Sequence, residues 1–403
     1  MNIDELDLED LKSGIPPANA ELLAGMTQGR ADWLDRFQEH YLFNFIGRPG
    51  PCGRGSKVKV LVGGEGTGKT HLLRCVAQDA RAMGYAVVYL SLRDIDYRLN
   101  NFPVLYRAIV EQIDREALVR GLCRRVAEYL GYGEDEYDGT GPLLPLLVEK
   151  ENWAPNDARK EIRKAIGRCF HDLDVGPAFV TFCFQVVVAR MVNGQDEQLR
   201  SALLWLGGGK LDRSGKKSTN LFETLQKSNA RTWLNSLIQV LNAAGMTGLV
   251  VLIDNVEEIT RAVPGTGRHL YTSNAVKDTC EMFRQLIDDT DLLHGFVLIM
   301  AGGREIIEDL KRGFKSYEAL WMRLDPGLVP GLRFNPYCDI VNTDLLSEAR
   351  GDGFPQRVAA MLSQLLQRAG FRRHYRELQD LSQHSELRTR VMETALLMER
   401  VGE

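Results

Sequence analysis

Hydrophobic positions along this chain follow two different rhythms. Four short runs are almost unbroken: Val58-Lys59-Val60-Leu61-Val62, AVVYLSL (86–92), TGLVVLID (247–254) and GFVLIMAG (295–302). Runs of this length, bounded by glycine and polar residues, predict strands buried on both faces of a parallel sheet. The first two flank HLLRCVAQDARAMG (71–84), a helical pattern that stops at Gly84, so strand, helix and strand form a βαβ unit. Elsewhere the spacing is helical. LYRAIVEQI, RGLCRRVAEYL and RTWLNSLIQVLNAAG predict a helical insertion over about 103–243, broken by loops at 131–141 and 206–218. Residues 1–56 read as a helical approach. Leu6, Leu8 and Leu11 line one side of its first helix, Ser13-Gly14-Ile15-Pro16-Pro17 ends that helix, and Trp33, Phe37, Tyr41, Leu42 and Phe45 recur at helical spacing. Residues 339–403 read as a helical tail. The expected organisation is an N-terminal helical segment (1–56), an α/β core (57–338) with the insertion inside it, and a C-terminal helical lid (339–403).

Composition narrows the class. The chain has 403 residues, 44% hydrophobic and 26% charged, with a formal net charge of −4, which excludes wholesale disorder and a histone-like basic protein. Its seven cysteines form no Cys-x-x-Cys pair, and the seven histidines show no metal-ligand spacing, so neither a disulfide framework nor a zinc ribbon is expected. The N-terminus is acidic and lacks an apolar signal core. The longest apolar stretch, Pro177–Ala189, is shorter than the ~20 residues a membrane span needs, and reads as a buried helix or strand. The expected compartment is the reducing cytoplasm, with no membrane contact.

One segment carries specific chemistry. Gly63-Gly64-Glu65-Gly66-Thr67-Gly68-Lys69-Thr70 fits G-x-x-x-x-G-K-[ST] at every fixed position, between a predicted strand and a predicted helix. Its glycines let the backbone turn tightly and aim N–H groups inward, and the helix that follows begins where its unpaired N–H groups and dipole favour negative charge. Lys69 is expected to bridge the β- and γ-phosphates of a nucleotide, and the Thr70 hydroxyl to ligate Mg²⁺. In LVVLIDNVEE (249–258), Asp254 ends a buried run at the carboxyl edge of the sheet, where a carboxylate holds the Mg²⁺ shell or, alternatively, caps a turn. The next residue is Asn255, an amide that positions water but does not take its proton. Glu257 and Glu258 are the nearest carboxylates to replace it.

Phosphoryl transfer also needs cations. Candidates are Arg268, Arg304, Arg323 and Arg357; Arg357 follows Gly-Phe-Pro at the start of the helical tail, which suits a lid reaching back to the nucleotide, and Arg304 follows two glycines after the fourth strand. Two basic clusters, Lys210/Arg213/Lys216/Lys217 on an expected loop and Arg368/Arg372/Arg373/Arg376 interleaved with Phe371 and Tyr375, are candidate nucleic-acid surfaces.

Taken in order, LEDLKSGIPP, TQGR (27–30), GEGTGKTHLLR, LLWLGGGKL (203–211) and NAAGMTGLVVLIDNVEEI resemble the BREX (bacteriophage exclusion) ATP-binding domain family, from about residue 8 to about residue 345. The resemblance implies an α/β AAA+ fold of the origin-recognition type, a P-loop NTPase with a parallel sheet. It implies ATP and Mg²⁺ as cofactors and a place in multi-gene antiphage defence beside partners such as a large helicase. It carries phosphate binding onto Gly63 to Thr70, with His71 in the trailing segment, and Mg²⁺ onto Thr70 and Asp254. It also sets Arg30 in a Gly-Arg box beside the adenine. The family's Asp-Glu-x-Glu here reads Asp254-Asn255-Val256-Glu257. The resulting expectation is an ATP-dependent, oligomeric (ring or filament) remodeller on double-stranded DNA. Catalysis would rest on Lys69, Asp254 and Glu257, with Arg268 or Arg323 donated by a neighbouring subunit. The alternatives are a clamp or sensor with little hydrolysis, or a helicase loader.

Overall fold

The computed structural model describes residues 3–47, 55–194, 196–324, 333–373 and 386–400. The four apolar runs become strands β1 (Ser56–Val62), β2 (Ala86–Ser91), β3 (Leu249–Asp254) and β4 (Phe296–Gly302). A fifth strand, β5 (Ile340–Asn342), completes a parallel sheet in the order β2-β3-β4-β1-β5. The sequence reading placed only helix there, because three residues are too few for an alternation signal. The βαβ unit is present, but its crossover passes over β4 and β3, so β1 and β2 are not neighbours.

Successive strand residues face opposite sides, and both sides are covered. Leu61, Val250, Leu252, Val297 and Ile299 pack with the phosphate-loop helix (Lys69–Ala82) through Leu72, Leu73 and Val76, and with Trp33, Phe37 and Leu42 of the N-terminal segment. Val60, Val251, Ile253, Leu298 and Met300 face the insertion and share one apolar cluster with its helices. The insertion therefore closes one face of the sheet. Its Pro177–Val188 stretch is a buried helix. Part of the expected 206–218 loop is helical instead: Arg213–Thr219 forms because the Asp212 carboxylate accepts the Gly215 N–H at its start.

The two chain ends meet. Leu8, Leu11, Leu22 and Met26 share an apolar cluster with Phe354, Val358, Leu362, Val391 and Met398, while Leu6 is exposed. This puts the helices Glu5–Lys12, Phe354–Arg368 and Leu387–Leu396 together, beside a small antiparallel pair, β6 (Phe371–Arg373) and β7 (Met398–Arg400). Among the described residues no helix is long and apolar enough to cross a membrane.

Candidate functional site

The turn from β1 into its helix lies at the carboxyl edge of the sheet, with β3 and β4 ending beside it. Gly68 is in the left-handed region (φ 89°), a conformation that glycine adopts without a Cβ penalty, and it starts the helix at Lys69. The Lys69 ammonium is curled onto its own loop, donating to the carbonyls of Gly63 (2.8 Å) and Gly64 (2.6 Å). Burial lowers its pKa. The carboxylates of Glu257, Asp254, Asp344 and Glu305 act in the opposite direction, which sets four acids within electrostatic reach of one amine.

Asp254 is almost wholly buried, and both of its oxygens accept hydrogen bonds. Oδ2 accepts the hydroxyls of Thr70 (2.7 Å) and Tyr89 (2.6 Å), and Oδ1 accepts the Asn255 N–H (2.8 Å). Asn255 takes a left-handed backbone (φ 55°), and its amide donates to Ser91 Oγ at 2.9 Å. Arg93 bridges the two glutamates after that kink, with Nη2 3.3 Å from Glu257 Oε1 and Nε 3.2 Å from Glu258 Oε1. Glu258 is held by Arg93 and Arg261. Glu257 accepts the Gly303 N–H at 3.1 Å, and burial, followed by the charge of Asp254, raises its pKa.

Sequence reasoning missed Asp344, just after β5. Its carboxylate accepts the Gly64 N–H (2.9 Å) and Arg304 Nε (2.8 Å), so it ties the segment after β4 to the phosphate loop. Thr343 bonds the Thr67 hydroxyl at 2.7 Å. At the tip of the loop, Glu65 pairs with Arg388 of the C-terminal helix, and a Cβ on Gly66 would lie 3.1 Å from that arginine's Cβ. Arg388, unlike Arg357, stands over the phosphate loop. Arg357 is on the exposed first turn of its helix, donates to the Arg350 carbonyl, and accepts Gln28 through its own carbonyl. No local pattern in the sequence marks Tyr89, Asp344 or Arg388.

The TQGR segment runs along the phosphate-loop helix. Thr27 bonds the imidazole of His71 at 2.8 Å, and Arg30 pairs with Asp79 at 2.6 Å and Asp35 at 3.1 Å. Burial and the nearby arginines lower the His71 pKa to about 4, so the ring is neutral. The remaining arginines have their contacts elsewhere. Arg323 is bound to Asp288 at 2.9 Å. Arg268 sits on a hairpin of ten consecutive exposed residues, 261–270, with no ion pair among the described residues.

The donor set suits Mg²⁺ and a nucleotide. A hydroxyl and a carboxylate at 2.7 Å are hard oxygen ligands, and Mg²⁺ typically takes one or two protein ligands with phosphates and water completing its shell. Among the described residues no group of three or more His, Cys, Asp or Glu is placed to hold a metal.

A five-stranded parallel sheet with a glycine-rich strand-to-helix turn at its carboxyl edge is the arrangement of a P-loop nucleotide-binding α/β protein. The chain belongs to the family of BREX system ATP-binding proteins BrxC/D, whose profile matches residues 52–341. It is therefore an ATP-binding protein of a phage-defence family. Searches of curated proteins and of solved structures gave no match.

Proposed function

We propose that this chain is an AAA+ ATPase of the origin-recognition type that uses Mg·ATP to drive an oligomeric, DNA-associated remodelling step in BREX-like defence. The observation that carries the reading is the meeting of Thr70 and Asp254 at 2.7 Å, with Lys69 and Glu257 at the same sheet edge. Bound ATP would supply the phosphoanhydride, and Mg²⁺ the neutralisation of its charge. Lys69 leaves the Gly63 and Gly64 carbonyls for the β- and γ-phosphates. The N–H groups of Gly66 to Thr70 cradle the same phosphates. Glu257, its basicity raised by burial, holds the attacking water and takes its proton. Arg93, Arg304 and Arg388 are cations of the same chain paired with carboxylates at this edge, Glu257, Asp344 and Glu65. Arg268, free on its exposed hairpin, is better placed than the Asp288-bound Arg323 to enter a neighbour's site, which supports assembly as a ring or filament. The helices Phe354–Arg368 and Leu387–Leu396 serve as the lid. Double-stranded DNA and other defence proteins, a helicase among them, are the proposed partners.

Asn255 favours a second reading, a nucleotide-dependent clamp or sensor. Its amide is spent on Ser91, and no carboxylate stands at that position.

Titration with a fluorescent ATP analogue tests the site. Lys69→Ala is expected to lose at least about tenfold in affinity, the worth of a charged hydrogen bond. Unchanged affinity contradicts the assignment.

A further inference from the structure

The insertion carries a rigid, uncompensated basic knob at residues 210–227. Gly208 turns the chain into it (φ 73°), at a place where a Cβ would meet Leu225 at 2.7 Å. Leu211, Leu221 and Leu225 bury its underside. On the helix Arg213–Thr219, Gly215 and Thr219 face inward, so Arg213 and Lys217 point outward with Lys216 beside them. The knob is anchored to the aromatic centre of the insertion. Trp205 Nε1 donates to the Glu223 carbonyl at 2.6 Å, and Trp233 Nε1 to the Glu223 carboxylate at 2.7 Å. Those two indoles lie 4.5 Å apart.

This anchoring holds the knob's own acids away from its cations. Asp212 caps its helix, and Glu223 is held by Trp233 and Asn229. Lys210, Arg213, Lys216, Lys217 and Lys227 have no ion pair among the described residues. With five cations against two carboxylates, the surface keeps a positive field on a chain that is net negative.

We infer that this knob is a docking surface for the phosphate backbone of duplex DNA. Four of the five cations are lysines, point charges suited to backbone contact rather than to forked recognition of a carboxylate. A single-strand groove needs a series of stacking rings. Phe222 is the one exposed aromatic here. In the second basic cluster Phe371 is buried and Arg372 lies across from Glu399, and Tyr375 and Arg376 fall outside the described residues. The knob also has a route to the site, because the helix Ala230–Ala243 that bears Trp233 leads directly into β3 and Asp254.

The inference rests on the reading of the chain as DNA-associated, and its test separates the two. Binding of the full chain to a fluorescein-labelled duplex of random sequence is measured from about 50 to about 200 mM salt. The variant Lys210→Ala/Arg213→Ala/Lys216→Ala/Lys217→Ala is expected to bind at least tenfold more weakly, with a salt slope reduced by about three to four, roughly 0.9 per lost phosphate contact. Its affinity for the ATP analogue should match wild type, which verifies its fold. The double variant Lys210→Gln/Lys217→Gln should lose about half of the slope difference. Duplex binding is measured without nucleotide, so a failed nucleotide site leaves this result standing. Equal affinity and slope in the quadruple variant would overturn the proposal. So would a wild-type preference for single strands or for polyglutamate over the duplex.

Discussion

Asp254 holds the site together by accepting from Thr70, Tyr89 and the Asn255 N–H at once, and in the proposed function Glu257, held by Arg93 and the Gly303 N–H, is the carboxylate that works on water. Glu257→Gln keeps an acceptor for the Gly303 N–H but takes no proton. Turnover is expected to fall by at least about a hundredfold, while binding of the ATP analogue persists. Stability should move the other way. Burial raises the folded-state pKa of Glu257 above its ordinary 4.5. As pH rises past that value the unfolded chain releases its proton first, and the native state is penalised. The Gln variant should therefore melt higher than wild type at neutral pH, with the gain vanishing as pH falls to 4.5 and below. A gain that persists at low pH would contradict the buried carboxylate. Lys69, Thr70 and Asp254 were legible because each stands inside a local string whose chemistry is fixed by spacing. Tyr89 and Asp344 were not. Their partners are 165 and 280 residues away in the chain, and only the fold joins them.

Strands β1 to β4 were legible because burial on both faces leaves few polar interruptions in the run. The short β5 and the helix Arg213–Thr219 were not. The first has three residues, and the second is built from Gly, Ser and Lys and owes its start to the Asp212 cap. The C-terminal helices make the sharpest case at this scale. The motif around Arg357 drew attention to the helix Phe354–Arg368, yet the arginine over the phosphate loop belongs to the next helix, through the Glu65–Arg388 pair. Arg388→Ala is expected to change affinity for the ATP analogue by about tenfold, the range for one charged contact, and Arg357→Ala much less. Binding titrations of both variants decide between them, and the reverse ranking would return the role to Arg357.

At the scale of the molecule, the insertion on one face and the phosphate-loop helix with Trp33, Phe37 and Leu42 on the other cover the sheet and leave its carboxyl edge as the meeting point of β1, β3 and β4. Strand order is a property of the fold alone, and the crossover past β4 and β3 had no trace in the local pattern. In the proposed assembly, Arg268 on its exposed hairpin finishes the site of a second copy. Arg268→Ala and Glu257→Gln chains, each inactive alone, are expected to recover turnover when mixed, because one supplies the arginine and the other the carboxylate. No recovery on mixing would place the completing cation in the same chain. The central claim, that this edge turns over ATP, is tested most directly by steady-state ATP hydrolysis of the purified chain, with and without duplex DNA, against Lys69→Ala. The account predicts turnover that DNA stimulates and Lys69→Ala abolishes. Measurable ATP binding with no turnover above that blank, in either condition, would contradict it and leave a clamp or sensor built around Asn255.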